Sequence, residues 1–323
     1  METRIGTDIN YAKKLLEAGD LVAIPTETVY GLAGNALNED AVVKIYAVKN
    51  RPHFNPLIIH VPSFSSLSQY VLHVPAKAKL LADAFLPGPI TFLLPKKNSI
   101  PDIVTAGSDK VAIRIPKHPL TLELLNQINF PLAAPSANPF GYVSPTSAGH
   151  VFDNLHGKIP YILDGGECKV GVESTIIGFD KNDKIIVHRV GGITVEEIEK
   201  ITGEKVTFQV NTEAGPDSPG QLQSHYATHT PLLLGNIDTL IHQNKNKKIA
   251  IISFNRLYPE VPGENQFILS PTGNVEEAAK NLFKALRQLD TIKADIILAE
   301  YLPDKGLGRA INDRLKRAQY IYK

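Results

Sequence analysis

Residues 22–36 read VAIPTETVYGLAGNA and residues 48–61 read VKNRPHFNPLIIHV. An apolar strand runs into a tight Pro25-Thr26-Glu27-Thr28 turn. One helix later come two cations, Lys49 and Arg51, then Asn55-Pro56 and a second apolar strand ending at His60. Hydroxyls, cations and a histidine are thereby gathered at neighbouring strand ends, a place suited to an anionic small molecule.

Working outward, strands and helices alternate. Asp8 can cap a helix over 8–18 that Gly19 ends, LVAI at 21–24 reads as a buried strand, and Asn38 can cap a helix over 39–49. PLIIHV is a strand. A helix over 77–86 is stopped by Pro87-Gly88-Pro89, and the strands ITFLL and VAIRI follow. A helix over 119–128 leads to the short strand PLAA. The pattern predicts a helix from Pro145 to Leu155, then strands YILD, STIIGF and KIIVHRV. Thr194 and Glu197 match a capping box. Some strands lie close enough for hairpins, so the class is α/β with a twisted mixed sheet rather than a purely parallel one.

The rhythm breaks at QVNTEAGPDSPGQLQSHYATHTP, about 208–231, which has little periodicity. A structureless run of ~20 residues inside a compact domain is unusual, so it reads as a linker or a functional loop. Beyond it, LLLG, KKIAIISF and ADIILAE are buried-strand candidates, with helices over 275–289 and 308–320. The expected division is a first domain over 1–207, a linker over 208–231 and a smaller α/β domain over 232–323.

Composition narrows the function. The chain has 323 residues and a formal net charge of +1, which argues against a broad basic surface for nucleic acid. Its single cysteine, Cys168, makes no internal disulfide and reads as a buried thiol. METRIGTDIN lacks a signal-peptide core, and no apolar run approaches the ~18 residues that span a bilayer. The expectation is a soluble cytoplasmic protein without a membrane partner.

Several residues admit two readings. Lys49 and Arg51 can pair with a helix dipole or reach phosphate oxygens. Arg114, within the apolar strand VAIRI, is either an exposed edge arginine or a buried one that needs a carboxylate or phosphate partner. Arg189, before Gly191-Gly192, poses the same question. The turn Pro135-Ser136-Ala137-Asn138-Pro139 can cradle an anion or serve only as a turn, and Ser144 can be a helix N-cap. His225 and His229 are four apart, but HYATH lacks the glutamate of a zinc helix. Gly306-Leu307-Gly308 is a poor dinucleotide fingerprint, and the lysines at 245–248 read as a solvated loop.

Taken together, IPTETVYGLAGNA, KNRPHFNPLIIHV, PGPITFLL, VAIRIP, APSANPFGYVSPT, GVESTIIGF and HRVGG resemble the threonylcarbamoyl-AMP synthase family. SPGQLQSHYA and GLGRAINDRLKRA resemble its longer two-domain form. The resemblance implies a YrdC-like catalytic domain with a twisted mixed sheet and a smaller Rossmann-like C-terminal domain. It also implies a nucleotidyltransferase that makes L-threonylcarbamoyladenylate and pyrophosphate from threonine, bicarbonate (or carbon dioxide) and ATP with Mg²⁺. That product feeds a tRNA threonylcarbamoyl transferase machinery, and a weak tRNA contact is allowed.

By matching positions, the resemblance implies Thr28, His60, Arg114, Ala134 and Ser174 at threonine. It implies Lys49, Arg51, Asn55, Lys110, Ser136, Ser144 and Arg189 at ATP, with Lys49 and Arg51 as the catalytic cations. Lys110 stands where a small hydroxyl residue is expected, so a contact there would come from the backbone. Ser218, Pro219, Gly220, His225 and Tyr226 are the expected linker lid, and metal ligands are not assigned. Two other classes use related domains: an RNA-binding module, and a carbamoyl transferase of hydrogenase maturation, whose members carry zinc-binding cysteines that this chain lacks.

Overall fold

The structure is a computed structural model and describes residues 2–209 and 225–319. Two compact units emerge. The first takes residues up to 140, 145–169 and 173–209; the second takes 141–144, 170–172 and the described residues from 225 on. The expected lid residues Ser218, Pro219 and Gly220 lie outside the described residues.

In the first unit, eleven strands among the described residues form one mixed sheet. From one edge the order is Arg4–Gly6, Tyr161–Leu163, Val22–Ile24, Gly31–Asn35, Leu132–Ala133, Ile58–His60, Lys110–Arg114, Ile90–Pro95, Thr175–Phe179, Ile185–Arg189 and Thr207–Phe208. The strand Gly31–Asn35 does not follow from the sequence pattern, since GLAGN has low strand propensity. Tertiary packing makes it a strand. A Cβ on Gly34 would lie 2.9 Å from Leu21 Cδ2 and 3.2 Å from Ile45 Cδ1. The glycines let neighbouring elements approach closely.

Alternation along Val22–Ile24 shows the layering. Val22 and Ile24 pack with Leu16, Leu124 and Leu125, while Ala23 packs with Ile45, Tyr46 and Ile59. One face is therefore covered by the helices Ile9–Glu17 and Pro119–Gln127, and the other by Glu39–Lys49. Each fully buried leucine or isoleucine contributes about 1.5–3 kcal/mol. Caps match the sequence expectation at three helices: Asp8 accepts from Tyr11 N–H, Asn38 from Asp40 and Ala41 N–H, and Thr194 with Glu197 forms a capping box.

One helix is shorter than expected. It spans Ala148–Leu155, and Ser147 is its N-cap, accepting from His150 N–H at 3.3 Å. Pro145 lies outside it, and Ser144 is not the cap. The Ser147 hydroxyl, placed to accept from the His150 N–H, decides the start.

The second unit has a four-stranded parallel sheet among the described residues, ordered Leu232–Leu234, Ile296–Ala299, Ile249–Ser253, Gln266–Ile268. The helices Val275–Thr291 and Leu307–Gln319 accompany it. A Cβ on Gly308 would overlap the Pro303 carbonyl. This glycine thus serves close packing, and dinucleotide binding is not needed to explain it. Among the described residues, no helix is long and apolar enough to cross a membrane.

Candidate active site

The site of the first unit is built on the Pro25–Thr28 turn. Thr26 Oγ1 donates to the Val29 carbonyl at 2.7 Å and accepts from the N–H groups of Thr28 and Val29 at 3.1 and 3.2 Å. It also lies 2.8 Å from Thr28 Oγ1. This hydroxyl-closed turn fixes the directions of Glu27 and Thr28. Both are buried, at 5% and 0% exposure.

Arg114 ends its strand beside His60, its register partner on the adjacent parallel strand. It is buried, not an edge residue, so the first of its two readings from sequence is excluded. Its counter-charge is Glu27: Nη2 lies 2.8 Å from Glu27 Oε1, each side chain 5% exposed. That separation is an ion pair, yet the angle is not that of a hydrogen bond. Nε and Nη2 of Arg114, Oε1 of Glu27 and Nδ1 of His60 all remain buried without a hydrogen-bond partner. Buried polar atoms left this way cost about 1–3 kcal/mol each, and clusters of them mark ligand sites.

Burial, then the Arg114 guanidinium, pushes the His60 imidazole down from 6.5 to about 3. A histidine held this low is neutral at physiological pH and a poor base, so it can exchange hydrogen bonds but not drive proton abstraction. The unfolded chain takes up a proton at His60 below about pH 6.5, and the folded chain does so only near pH 3. The stabilisation is therefore complete above the upper value and lost as pH falls through this window. We expect unfolding free energy to drop by about 2 kcal/mol from pH 8 to pH 5 on account of this residue. Denaturant titrations of wild type and His60→Asn at both pH values check it; parallel pH dependences in the two proteins would contradict it.

Ser174 is fully buried and forms a chain with Thr91 and Arg189. Thr91 Oγ1 and Ser174 Oγ are 2.7 Å apart, and Arg189 Nη2 donates to Ser174 Oγ at 3.1 Å and to its carbonyl at 2.9 Å. Gly191 backs this arrangement, because a Cβ there would overlap the Glu173 carbonyl. Gly191→Ala should cost about 1–3 kcal/mol through overpacking and lower activity by displacing Ser174. Thermal unfolding together with a turnover assay is the check.

The second cation group lies around helix Glu39–Lys49. Lys49 is 1% exposed, and its Nζ donates to the carbonyls of Ser136 and Asn138, both at 2.5 Å. Burial, then Arg51, holds its ammonium well below the usual lysine range. In this conformation Lys49 ties down the Ser136–Asn138 turn, a role distinct from a helix-dipole partner. Arg51 Nε donates to the Asn55 carbonyl at 3.0 Å, and Nη2 donates to Asn55 Oδ1 at 2.7 Å and the Pro56 carbonyl at 2.8 Å. Its guanidinium lies 5.9 Å from the Phe140 ring centroid. Asn55 is thus the clip that aims Arg51, and its Nδ2 is buried without a hydrogen-bond partner.

The remaining expected residues fall as follows. Ala134 is buried, and its N–H donates to the Ile58 carbonyl at 3.0 Å. Ser136 is partly buried and bridges Gly31. Lys110 opens its strand, with its backbone N–H on Ser108 Oγ at 3.2 Å. Ser144 is buried in the second unit, where Arg287 Nε donates to its carbonyl at 3.3 Å.

His225 and Tyr226 also belong to the second unit. Tyr226 has φ of +64° and is 1% exposed, stacked on Phe283 at 5.4 Å with Arg314 5.5 Å from its ring. It is a core residue of that unit, because an aromatic ring of this size buries far more favourably than it solvates. Cys168 is buried, and burial pushes its thiol up to about 12, so it is an inert packing group.

Sequence reasoning missed Glu27 and Thr91. The signal for Glu27 was present: a buried arginine requires a carboxylate, and the quoted turn contains one.

A sequence model of the Sua5/YciO/YrdC family, described as telomere recombination, matches residues 14–191. A second, described as the threonylcarbamoyl-AMP synthase C-terminal domain, matches residues 193–319. The chain is 42% identical to the threonylcarbamoyl-AMP synthase of Pyrococcus abyssi, covering 96% of this chain and 93% of that one. It is 40% identical to the Bacillus subtilis enzyme of the same name, covering 96% and 92%. The crystal structure of P. abyssi Sua5 complexed with L-threonine superposes with a TM-score of 0.91 at 39% identity, covering 99% of this chain and 98% of that one. Matched in both parts by family models and over nearly its whole length by these relatives, the chain belongs to the threonylcarbamoyl-AMP synthase family, in its two-domain form.

Proposed function

We propose that the chain condenses L-threonine, bicarbonate or carbon dioxide, and ATP to L-threonylcarbamoyladenylate and pyrophosphate, the first step of threonylcarbamoyladenosine formation in tRNA. The observation that carries this reading is the buried guanidinium of Arg114. Its Nε and Nη2 lack hydrogen-bond acceptors beside a neutral His60. Two adjacent N–H donors suit the α-carboxylate of an amino acid bidentately. Thr28 and Ser174 are buried hydroxyls that suit the substrate's side-chain hydroxyl and carbamate. Arg51 and Arg189 serve the triphosphate and the charge of departing pyrophosphate, and Lys49 keeps the Ser136–Asn138 turn in place for them.

The neutral amine of threonine attacks the carbon of carbon dioxide and loses a proton, giving a carbamate. A carbamate oxygen then attacks the α-phosphorus, and the bond to pyrophosphate breaks in line. Catalysis rests on positioning and on fixed positive charge. Among the described residues, no three His, Cys, Asp or Glu side chains come together as a metal-binding group. Mg²⁺ carried on the ATP phosphates would need few protein carboxylates, since phosphate oxygens and water supply most of its ligands. Bound there, Mg²⁺ would neutralise phosphate charge.

Mass spectrometry of the products from ATP, bicarbonate and each amino acid in turn tests the reading. Threonine-specific threonylcarbamoyl-AMP supports it, and no adduct with any amino acid refutes it.

A further inference from the structure

Glu27 takes no part in the chemistry above, yet it is held in place from three sides. The Thr26 hydroxyl closes the turn that carries it. Its Oε2 accepts the Lys117 N–H at 2.9 Å, so the chain just beyond the Arg114 strand pins the carboxylate. Its Oε1 sits 2.8 Å from Arg114 Nη2, off the hydrogen-bond axis. The pair is balanced in charge but not in directional bonding, so the donors of Arg114 stay open to a third group.

A cavity of about 280 Å³ adjoins the turn, lined by Thr26, Glu27, Lys117, His118 and Gly165 among others. Arg114 does not line it. The carboxylate thus borders that space while its partner guanidinium does not.

We propose that Glu27 is the positioning residue of the amino-acid site, holding the Arg114 guanidinium so that Nε and Nη2 face the substrate carboxylate and balancing its charge while the site is empty. This rests on the functional reading given above. Glutamine at this position has the same shape, but its amide can turn N–H donors toward a guanidinium that has only donors, which drives the two groups apart. Aspartate keeps the charge on a shorter stem.

The test compares wild type, Glu27→Gln and Glu27→Asp for pyrophosphate release with threonine and ATP varied separately. Glu27→Gln should lower kcat/KM for threonine at least about tenfold, with KM for ATP unchanged, and Glu27→Asp should recover part of the loss. Unchanged or improved threonine kinetics in Glu27→Gln would overturn the inference. So would a parallel loss for threonine and ATP, which marks a fold defect. Should neither variant fold, a crystal structure of the wild-type chain with L-threonine decides: Glu27 is expected to stay on Arg114 with the ligand carboxylate on the same guanidinium, and a Glu27 turned away from Arg114 refutes it. Wild type without threonine-dependent pyrophosphate release defeats the functional reading itself, whereas normal wild type with an unaffected Glu27→Gln defeats this inference alone.

Discussion

Arg114→Lys is expected to lower kcat/KM for threonine about 100-fold or more while KM for ATP changes little. Lysine keeps the positive charge, so the buried Glu27 carboxylate retains a counter-ion and the fold survives; deleting the charge instead would cost about 3–5 kcal/mol. What lysine loses is the planar fork. Its ammonium is a point charge and cannot offer two parallel N–H groups to a carboxylate. Arg114 is 4% exposed, so water does not make good the lost bonds. Steady-state kinetics with threonine and ATP varied separately, alongside thermal unfolding, check the result. A variant with wild-type threonine kinetics would remove Arg114 from the amino-acid site.

Arg51→Ala is expected to reduce kcat/KM for ATP by about 10²–10³ and to leave threonine binding nearly intact, the size of effect seen when one fixed charge-stabilising donor is removed. Arg51 is aimed by the Asn55 amide oxygen and by the carbonyls of Asn55 and Pro56. Lys49 cannot take its place, because its ammonium is buried and bonded to the Ser136 and Asn138 carbonyls. Arg51→Lys should rescue little, since one ammonium cannot satisfy the same set of acceptors and also meet phosphate. Threonine-dependent pyrophosphate release at varied ATP, with calorimetric threonine binding in parallel, is the measurement. Full retained activity in Arg51→Ala would exclude this role.

Much of the fold was legible where periodicity was strong. The helix over 39–49 with its Asn38 cap, the capping box at Thr194 and the apolar strands around His60 and Arg114 follow from local spacing and capping chemistry. Gly31–Asn35 was not legible, because its strand state comes from close neighbours and not from its own residues. The start of the helix at Ala148 was also not legible: the spacing pointed to Ser144 and Pro145, and the folded chain caps the helix with Ser147 instead.

The candidate site divides in the same way. The sequence by itself determined which residue types stand at strand ends: the hydroxyl turn at 25–28, the cations at 49 and 51, the arginines at 114 and 189, and their family. Local chemistry is enough for that, since caps, turns and apolar runs act over a few residues. The tertiary structure alone decided how those groups are engaged. It joined Glu27 to Arg114 across 87 positions of chain, turned Lys49 onto two carbonyls of a distant turn, and made His60 neutral. Pairing and desolvation depend on what is brought near through space, and burial raises the cost of every charge left unpaired.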